Sequence, residues 1–447
     1  MSRRAVDMPF SPARFPVFYG YAIVVLGTVG VLMSVPGQTM GVSPFTEPLM
    51  AALGMTRVRL SLAYMVGTIL SSLLLVPVGR LYDRVGARVL GAVSCVALGL
   101  VLLGLGRCDV LARYLGDIGG PAYVPAVAFG VILVGFFALR FSGQGVLTLV
   151  SRNMVMKWFD RKRGRVSGVS GVFEALAFSS SPLLLKLLIE YVGWRDAWAI
   201  LAGVIGIGGG LMALVFWRDN PEVCGLAPDG DAGGADPDGK APLAPVRNFR
   251  LGEAVRHYTF WVFALGMALF ALYITGMTFH VASVFRQVGV AETKAFAVFL
   301  PASILGIGSR LSGGWLSDRV PLRYLLAGML VGIAVGAAGL IVPHAGSRFW
   351  LIVAGNGVCG GLFGLLFQIT WPRFFGRLHL GAISGMNMSL VVFASALGPV
   401  AFGQAFERTG SYAWAGWPTL GVAVVLAVCA FRARDPQPSA SSSPPDP

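Results

Sequence analysis

Long apolar runs separated by short polar segments dominate the pattern of this chain. A helix needs roughly 20 apolar residues to cross a bilayer, and twelve runs approach that length. Because charged residues gather between the runs, we interpret each run as a membrane-spanning helix. The predicted helices lie at residues 17–42, 58–79, 88–106, 124–150, 165–188, 195–217, 259–284, 294–317, 323–342, 349–372, 380–406 and 412–432.

The pattern changes sharply between the sixth and seventh runs. Residues 219–245 are rich in Pro, Gly, Ala and Asp, a composition that buries too little apolar surface to fold alone. From Asn248 to Trp261, apolar residues recur at helical spacing beside basic ones, which predicts a short amphipathic helix on the membrane surface. The predicted division is an N-terminal six-helix half at 1–218, a cytoplasmic linker at 219–256, a C-terminal six-helix half at 257–435 and a disordered cytoplasmic tail at 436–447.

Composition supports a membrane protein and argues against an enzyme. The chain is 55% hydrophobic and 13% charged, against about 25% charged in soluble domains. Its 5 cysteines lack metal-ligand or redox spacing and lie mostly in or beside apolar runs, so we interpret them as core residues. Phosphate-loop, zinc-ligand and nucleophile-elbow patterns are absent from the sequence. We therefore predict no cofactor, no metal and no catalytic residues.

The net charge of +14 is distributed unevenly between the loops. With a cytoplasmic N-terminus, 23 of the 35 Lys and Arg residues fall on the cytoplasmic side and 10 on the opposite side. The positive-inside rule then places both termini in the cytoplasm, and the basic run at 161–165 would contact lipid headgroups rather than nucleic acid. Residues 1–16 show no small-residue cleavage site, so we predict an uncleaved protein of the bacterial inner membrane.

A charged ten-residue string follows the second apolar run. The sequence from Gly79 to Arg88, GRLYDRVGAR, resembles the signature between helices 2 and 3 of the major facilitator superfamily, and a degenerate second copy follows the eighth run. Gly86 suits a tight reversal, and Asp83 is suited to cap the next helix or to pair with Arg84 or Arg88. The resemblance implies an all-α fold of two pseudo-symmetric six-helix bundles that rock about a central site. It implies conformational gating by Gly79, Asp83, Arg84, Gly86, Arg88, Gly314, Asp318 and Arg319.

Three ionisable residues lie deep in predicted spans, where charge is costly and commonly functional. Arg140 lies roughly 16 Å from the cytoplasmic end of its helix and Arg310 about 12 Å. Glu174 lies at a depth similar to that of Arg140, so we predict an Arg140–Glu174 pair and a proton-coupling role for Glu174. Arginine holds a carboxylate through two hydrogen bonds, which makes Arg140 and Arg310 candidate anion ligands. The alternative is that both arginines, and the ion pair, serve only packing.

A narrower resemblance supports Arg310. The string from Gly306 to Asp318, GIGSRLSGGWLSD, is similar to helix 8 of the oxalate/formate antiporter and monocarboxylate transporter branch. In that branch the matching Arg is thought to bind the substrate carboxylate. Neutral polar residues in the spans could complete the site, although bonding between helices is their commoner role: Gln38, Gln144, Tyr273, His280, Asn356 and Asn387. Tyr273 and His280 are seven residues apart and so are predicted to share a helix face.

Together these features predict a monomeric secondary transporter that moves a small organic anion, specifically a monocarboxylate, by alternating access with proton coupling. Two arginines and one carboxylate would give the site a formal charge of about +1, which balances a monoanion. Two alternatives stay open. One is proton-coupled efflux of amphipathic drug-like compounds, and the other is a membrane sensor that does not transport.

Overall fold

The computed structural model describes residues 8–120, 123–230, 247–290 and 295–437, without the side chains of residues 118 and 119. Every regular element in these ranges is helical, which confirms the all-α prediction. The helices, in chain order, are α1 (Tyr19–Met33), α2 (Thr39–Val42), α3 (Thr46–Leu53), α4 (Arg57–Leu73), α5 (Leu75–Leu105), α6 (Cys108–Gly119), α7 (Val124–Leu139), α8 (Thr148–Trp158), α9 (Arg163–Val192), α10 (Trp194–Ala202), α11 (Gly210–Phe216), α12 (Leu251–Ala254), α13 (Tyr258–Arg286), α14 (Phe299–Ser317), α15 (Leu322–Ile341), α16 (Ala345–Phe375), α17 (Leu380–Thr409) and α18 (Ala413–Arg432).

Among the described residues, ten helical segments are long and apolar enough to cross a membrane. The shorter apolar helix α1 and the pair Thr39–Leu53 and Arg57–Leu73, bent by 119°, account for the region of the first two predicted spans. The first predicted span is broken, because a tight turn at Val35–Gly37 contains Pro36 and Gln38 is extended with φ −87° and ψ 158°. Its helical part then continues to Leu53, beyond the predicted end.

Helix α5 contains the predicted reversal at Gly86. Gly86 has φ 79° and ψ 175°, a backbone conformation that side chains disfavour, and so it separates two helical segments. The second predicted span therefore continues to residue 85 instead of ending at 79. The expectation for Gly86 is confirmed, and the predicted span was too short because the charged residues of the motif remain helical.

The fourth span is continuous from Val124 to Trp158, longer than the predicted 124–150. A π-helical segment, Arg140–Leu147, joins α7 to α8. Such segments are rare, are frequent at functional sites, and rotate the following residues relative to an ideal α-helix. A second one, Gly203–Gly209, joins α10 to α11.

Contacts divide the chain into two compact units. The first contains Met1–Trp158, Phe173–Leu226 and Ser384–Ser389, and the second contains Phe159–Val172, Ala227–Ile383 and Leu390–Pro447. The start of α9 thus belongs to the second unit and the rest of α9 to the first. The predicted domain boundaries at 218, 256 and 435 stay predictions.

The linker is more structured at its start than its composition predicted. Residues 219–230 contain two short turns, Glu222–Cys224 and Pro228–Gly230. The carboxylates of Asp219 and Asp229 accept hydrogen bonds from the backbone N–H groups of Ala87 and Arg161. Residues 231–246 lie outside the described residues. The amphipathic helix is shorter than predicted: α12 has 4 residues, because tight turns at Arg256 and His257 end it before α13 begins. Most of the predicted tail, 438–447, also lies outside the description.

Helix α6 is anchored by a buried carboxylate. Asp109 is only 4% exposed, and its Oδ2 lies 2.8 Å from Arg113 Nη2 and 2.9 Å from Arg195 Nη2. Burial raises the pKa of Asp109, but the two arginines and its own backbone N–H together lower it, so the net pKa lies below its ordinary value. The carboxylate is therefore ionised and ties α6 to α10.

Candidate functional site

Arg140 lies where three spans of the first unit meet. Its side chain is 2% exposed, its Nε donates to Thr68 Oγ1 at 3.2 Å and its Nη1 donates to the Gly37 carbonyl at 2.9 Å. The guanidinium carbon lies 5.1 Å from the centre of the Tyr64 ring. Tyr64 and Thr68 belong to α4 and share a face at one-turn spacing.

Glycine permits the close approach that brings the Gly37 carbonyl to Arg140. A Cβ built on Gly37 would lie 2.7 Å from Gly143 Cα, and one on Gly143 would lie 2.8 Å from Gly37 Cα. Any side chain would push these backbones apart. The broken first span and the π-helical segment are therefore packed backbone to backbone beside the guanidinium.

The contacts of Arg140 within the described residues are all electrically neutral: a hydroxyl, a carbonyl and an aromatic ring. Burying a cation without a counter-charge is costly in an apolar environment. Arginine has five N–H donors, and Arg140 uses two of them in these hydrogen bonds. The site therefore has an oriented positive charge and N–H donors beyond those used in these two hydrogen bonds, which suits an anion.

A second buried arginine shows what a structural role looks like in this chain. Arg348 is 4% exposed and donates to the carbonyls of Val284, Leu340 and Val342. These carbonyls lie at or near the ends of α13 and α15, where the helix dipole is negative. Arg348 is thus held by helix ends, whereas Arg140 is not.

Two of the predicted site residues in the first unit are glutamines, and their hydrogen bonds differ. Gln38 Nε2 donates to Ser34 Oγ and Thr148 Oγ1, both at 3.2 Å, and so it joins α1 to α8. The Oε1 of Gln144 is buried and accepts no hydrogen bond from the described part of the chain. Gln144 thus has an acceptor free for a ligand, while the amide nitrogen of Gln38 is engaged.

The predicted Arg140–Glu174 pair is wrong. Glu174 is 3% exposed and its Oε2 lies 3.0 Å from Nη2 of Arg152, which the helix prediction had placed beyond the span. Depth was counted along each helix axis, but depth does not determine which face a side chain occupies. The longer fourth span also carries Arg152 within the helix. The proton-coupling role of Glu174 stays a prediction, with Arg152 as its observed partner.

Arg310 is buried in the second unit. It is 8% exposed and its Nε donates to the Ser167 carbonyl of α9 at 3.2 Å. Gly171 of α9 and Gly364 of α16 flank its guanidinium. The sequence predicted its burial correctly, and its role as an anion ligand stays a prediction.

Three other predicted site residues have neighbours of their own. Tyr273 donates to Asn356 Oδ1 at 2.8 Å, whereas His280 lies 2.9 Å from the Pro399 carbonyl through Nε2 and 3.2 Å from Tyr412 Oη through Nδ1. Tyr273 and His280, predicted to share a helix face, therefore contact different residues. These contacts match the bonding between helices that was the alternative for such residues.

Asn387 is fully buried, and neither polar atom of its amide has a hydrogen-bond partner among the described residues. It belongs to the short part of α17 assigned to the first unit. Its predicted contact with substrate stays a prediction.

The residues of the first motif copy are tied down by partners distant in sequence. The N–H of Ala87, just after Gly86, donates to Asp219 Oδ1 at 3.1 Å, and Lys157 Nζ lies 2.8 Å from Asp219 Oδ2. Asp219 therefore caps this helix start, and the capping or pairing role of Asp83 stays a prediction. Arg88 donates to the carbonyls of Leu214 and Met8. A Cβ built on Gly385 would lie 3.4 Å from the Cα of Gly79. The side chain of Arg84 is exposed.

The second motif copy contacts the start of α9. A Cβ on Gly314 would lie 2.6 Å from the Gly164 carbonyl, and Asp318 Oδ2 lies 4.0 Å from Arg165 Nε. Burial raises the pKa of Asp318 above its ordinary value. Arg319 stacks over the Trp315 ring at 3.7 Å. Gating by either motif copy stays a prediction.

Comparison with known proteins identifies the family. Residues 17–399 match the Major Facilitator Superfamily. The chain belongs to this superfamily. It is therefore an integral membrane protein and a secondary transporter of small molecules, not an enzyme, and the resemblance seen in the two motif copies is confirmed.

Individual relatives are distant. The chain is 25% identical over 335 residues to the probable sulfoacetate transporter SauU of Cupriavidus necator, covering 68% of this chain and 76% of the relative. It is 24% identical to monocarboxylate transporter 12 of Rattus norvegicus, covering 58% of this chain and 57% of the relative. The crystal structure of a variant of the E. coli fucose:proton symporter FucP aligns with a TM-score of 0.65 at 11% identity, covering 93% of this chain and 99% of that one. This last likeness shows the major facilitator fold.

Proposed function

We propose that this transporter moves a small organic anion and that Arg140 binds it. The observation that carries the proposal is the burial of Arg140 among neutral partners, at 2% exposure. An anion would supply the missing counter-charge and accept the N–H donors that the protein leaves over. Gln144 Oε1 would add an acceptor for a substrate hydroxyl.

We propose a carboxylate as the substrate, and the resemblance of the Arg310 region to the monocarboxylate branch favours a monocarboxylate. Since Glu174 pairs with Arg152, it does not cancel the positive charge of Arg140, and a substrate carboxylate would balance that charge. SauU and monocarboxylate transporter 12 are named for substrates that carry a carboxylate, which supports the broader class of organic anions. Arg310 is proposed as a second anion ligand on the basis of its resemblance to the matching Arg in the monocarboxylate branch.

Proton coupling would act through Glu174. Protonation would neutralise the carboxylate of Glu174 on α9 and break its ion pair with Arg152 on α8, so proton binding changes the electrostatic contact between the fourth and fifth spans. The proposed arrangement is a monomer in the bacterial inner membrane with both termini cytoplasmic, as the distribution of Lys and Arg favours.

The test is uptake of labelled monocarboxylates and dicarboxylates into proteoliposomes, with and without an inward proton gradient. Arg140→Gln should abolish uptake or raise KM at least roughly tenfold, the factor for one lost charge-assisted hydrogen bond. Arg348→Gln is the matched control, because the hydrogen bonds of that buried arginine to the described residues go to helix-end carbonyls. It should lower thermal stability and leave the KM of the folded fraction unchanged.

Uptake by Arg140→Gln with an unchanged KM would refute the anion site. If folded wild-type protein moves no carboxylate under either condition, drug-like cations and amphipathic compounds become the next substrates to test. Binding of an anion without flux would point to a sensor.

A further inference from the structure

The guanidinium of Arg310 lies in a narrow slot between two helix backbones. A Cβ built on Gly171 would lie 1.7 Å from Arg310 Nε and 2.0 Å from its Cζ, and one on Gly364 would lie 2.6 Å from Nη1. All three distances are below van der Waals contact, so the guanidinium can occupy this position only while both residues are glycine.

Backbone packing forms one wall of the slot. A Cβ on Gly361 would lie 2.3 Å from the Gly306 carbonyl, so α14 and α16 touch along their backbones one turn from Gly364. This contact places Gly364 beside Nη1 of the Arg310 guanidinium. On the other wall, the Ser167 carbonyl of α9 accepts from Arg310 Nε at 3.2 Å.

We propose that Gly171 and Gly364 are positioning residues for Arg310: the two glycines fix its guanidinium in the orientation that binds substrate. This inference rests on the proposed role of Arg310 as an anion ligand. A free arginine side chain has many rotamers, and two-point binding of a carboxylate needs one of them. A slot that fits a flat guanidinium removes this freedom before the substrate arrives.

The neighbouring glycines separate this role from ordinary helix packing. Gly168 lies one turn before Gly171 on the same helix, yet a Cβ there would lie 3.6 Å from the Arg310 carbonyl, which is normal contact. A Cβ on Gly360, one turn before Gly364, would have nothing within 4 Å. The steric demand at Gly171 therefore comes from the Arg310 side chain rather than from close approach of the two backbones.

The experiment is a double-mutant cycle with matched controls. Gly171→Ala and Gly364→Ala are each made with Arg310 and with Arg310→Ala, and Gly168→Ala and Gly360→Ala control for the added methyl group. We expect Gly171→Ala to raise the KM for a transported carboxylate roughly tenfold or more, as for one lost charge-assisted hydrogen bond. The controls should change KM less than about twofold, since their methyl groups meet no close neighbour.

Thermal unfolding of the purified proteins gives a readout independent of transport. Gly171→Ala should lower the unfolding temperature when Arg310 is present, and this loss should disappear with Arg310→Ala, which vacates the slot. An equal loss in both backgrounds would overturn the proposal, because the methyl group would then be clashing with something else.

The same variants distinguish the anion-binding role of Arg310 from the positioning role of Gly171 and Gly364. If Arg310→Ala raises KM but the glycine variants do not, the positioning role is refuted and the anion role of Arg310 stands. If Arg310→Ala leaves KM unchanged, the anion role of Arg310 fails and the positioning inference fails with it. This holds even if the effect of Gly171→Ala on the unfolding temperature still depends on Arg310.

Discussion

Asp229→Ala should loosen the loop that leads into α9. Asp229 is 5% exposed, and its carboxylate accepts from three consecutive backbone N–H groups: Asp160 at 3.0 Å, Arg161 at 2.8 Å and Lys162 at 3.2 Å. These N–H groups precede the first turn of α9, which begins at Arg163. The carboxylate thus does for this loop what a capping residue does for a helix start, from a position 67 to 69 residues later in the chain.

The expected change in the free energy of unfolding combines two losses and, for glycine, one gain. Loss of a capping side chain costs about 1 to 2 kcal/mol, and the negative charge near a helix start adds about 0.5 kcal/mol, so alanine should cost about 2 kcal/mol. Asp229 also has φ 61°, the left-handed conformation, which costs a non-glycine residue about 1 kcal/mol. Asp229→Gly should therefore cost only about 1 kcal/mol, because it loses the cap but removes the strain of the left-handed backbone conformation.

The assay is hydrogen exchange at the amides of 160–162 combined with denaturant unfolding in detergent. Exchange at these three amides should accelerate in both variants, and alanine should destabilise more than glycine. Asp117→Ala, an exposed carboxylate outside these contacts, is the charge-matched control. Unchanged exchange at 160–162 in Asp229→Ala would refute the capping role, and equal destabilisation by alanine and glycine would refute the strain term.

Two further outcomes are expected. Thr68→Val removes the acceptor of Arg140 Nε and should raise the KM for a transported anion roughly twofold to tenfold; Thr28→Val, which loses only a bond to its own helix, should leave KM unchanged. Arg195→Ala should destabilise the protein by about 1 kcal/mol at pH 7, since this ion pair is half exposed. Because the native pKa of Asp109 is depressed, its stabilising effect is present above about pH 4 and lost as the pH falls through that pKa. The cost of Arg195→Ala should therefore shrink toward pH 3, and a pH-independent cost in denaturant unfolding would contradict this.

The candidate site was only half predictable. Arg140 and Arg310 stood out because a charge inside an apolar run is conspicuous, and both are buried. Thr68 and Tyr64 were missed, although two polar residues at one-turn spacing in an apolar helix are a usable signal. The Gly37 carbonyl could not be found from the sequence, because a backbone acceptor carries no residue type.

The sequence by itself determined the membrane class, the sites of the spans, the reversal at Gly86 and the burial of the two arginines. Each of these depends on local composition or on the conformational freedom of one residue. Only the tertiary structure decided which groups meet: Glu174 with Arg152, Asp219 with the N–H of Ala87, and Asp229 with 160–162. Such pairs depend on the rotation of each helix about its axis and on contacts between residues far apart in the chain, and hydrophobic periodicity contains neither.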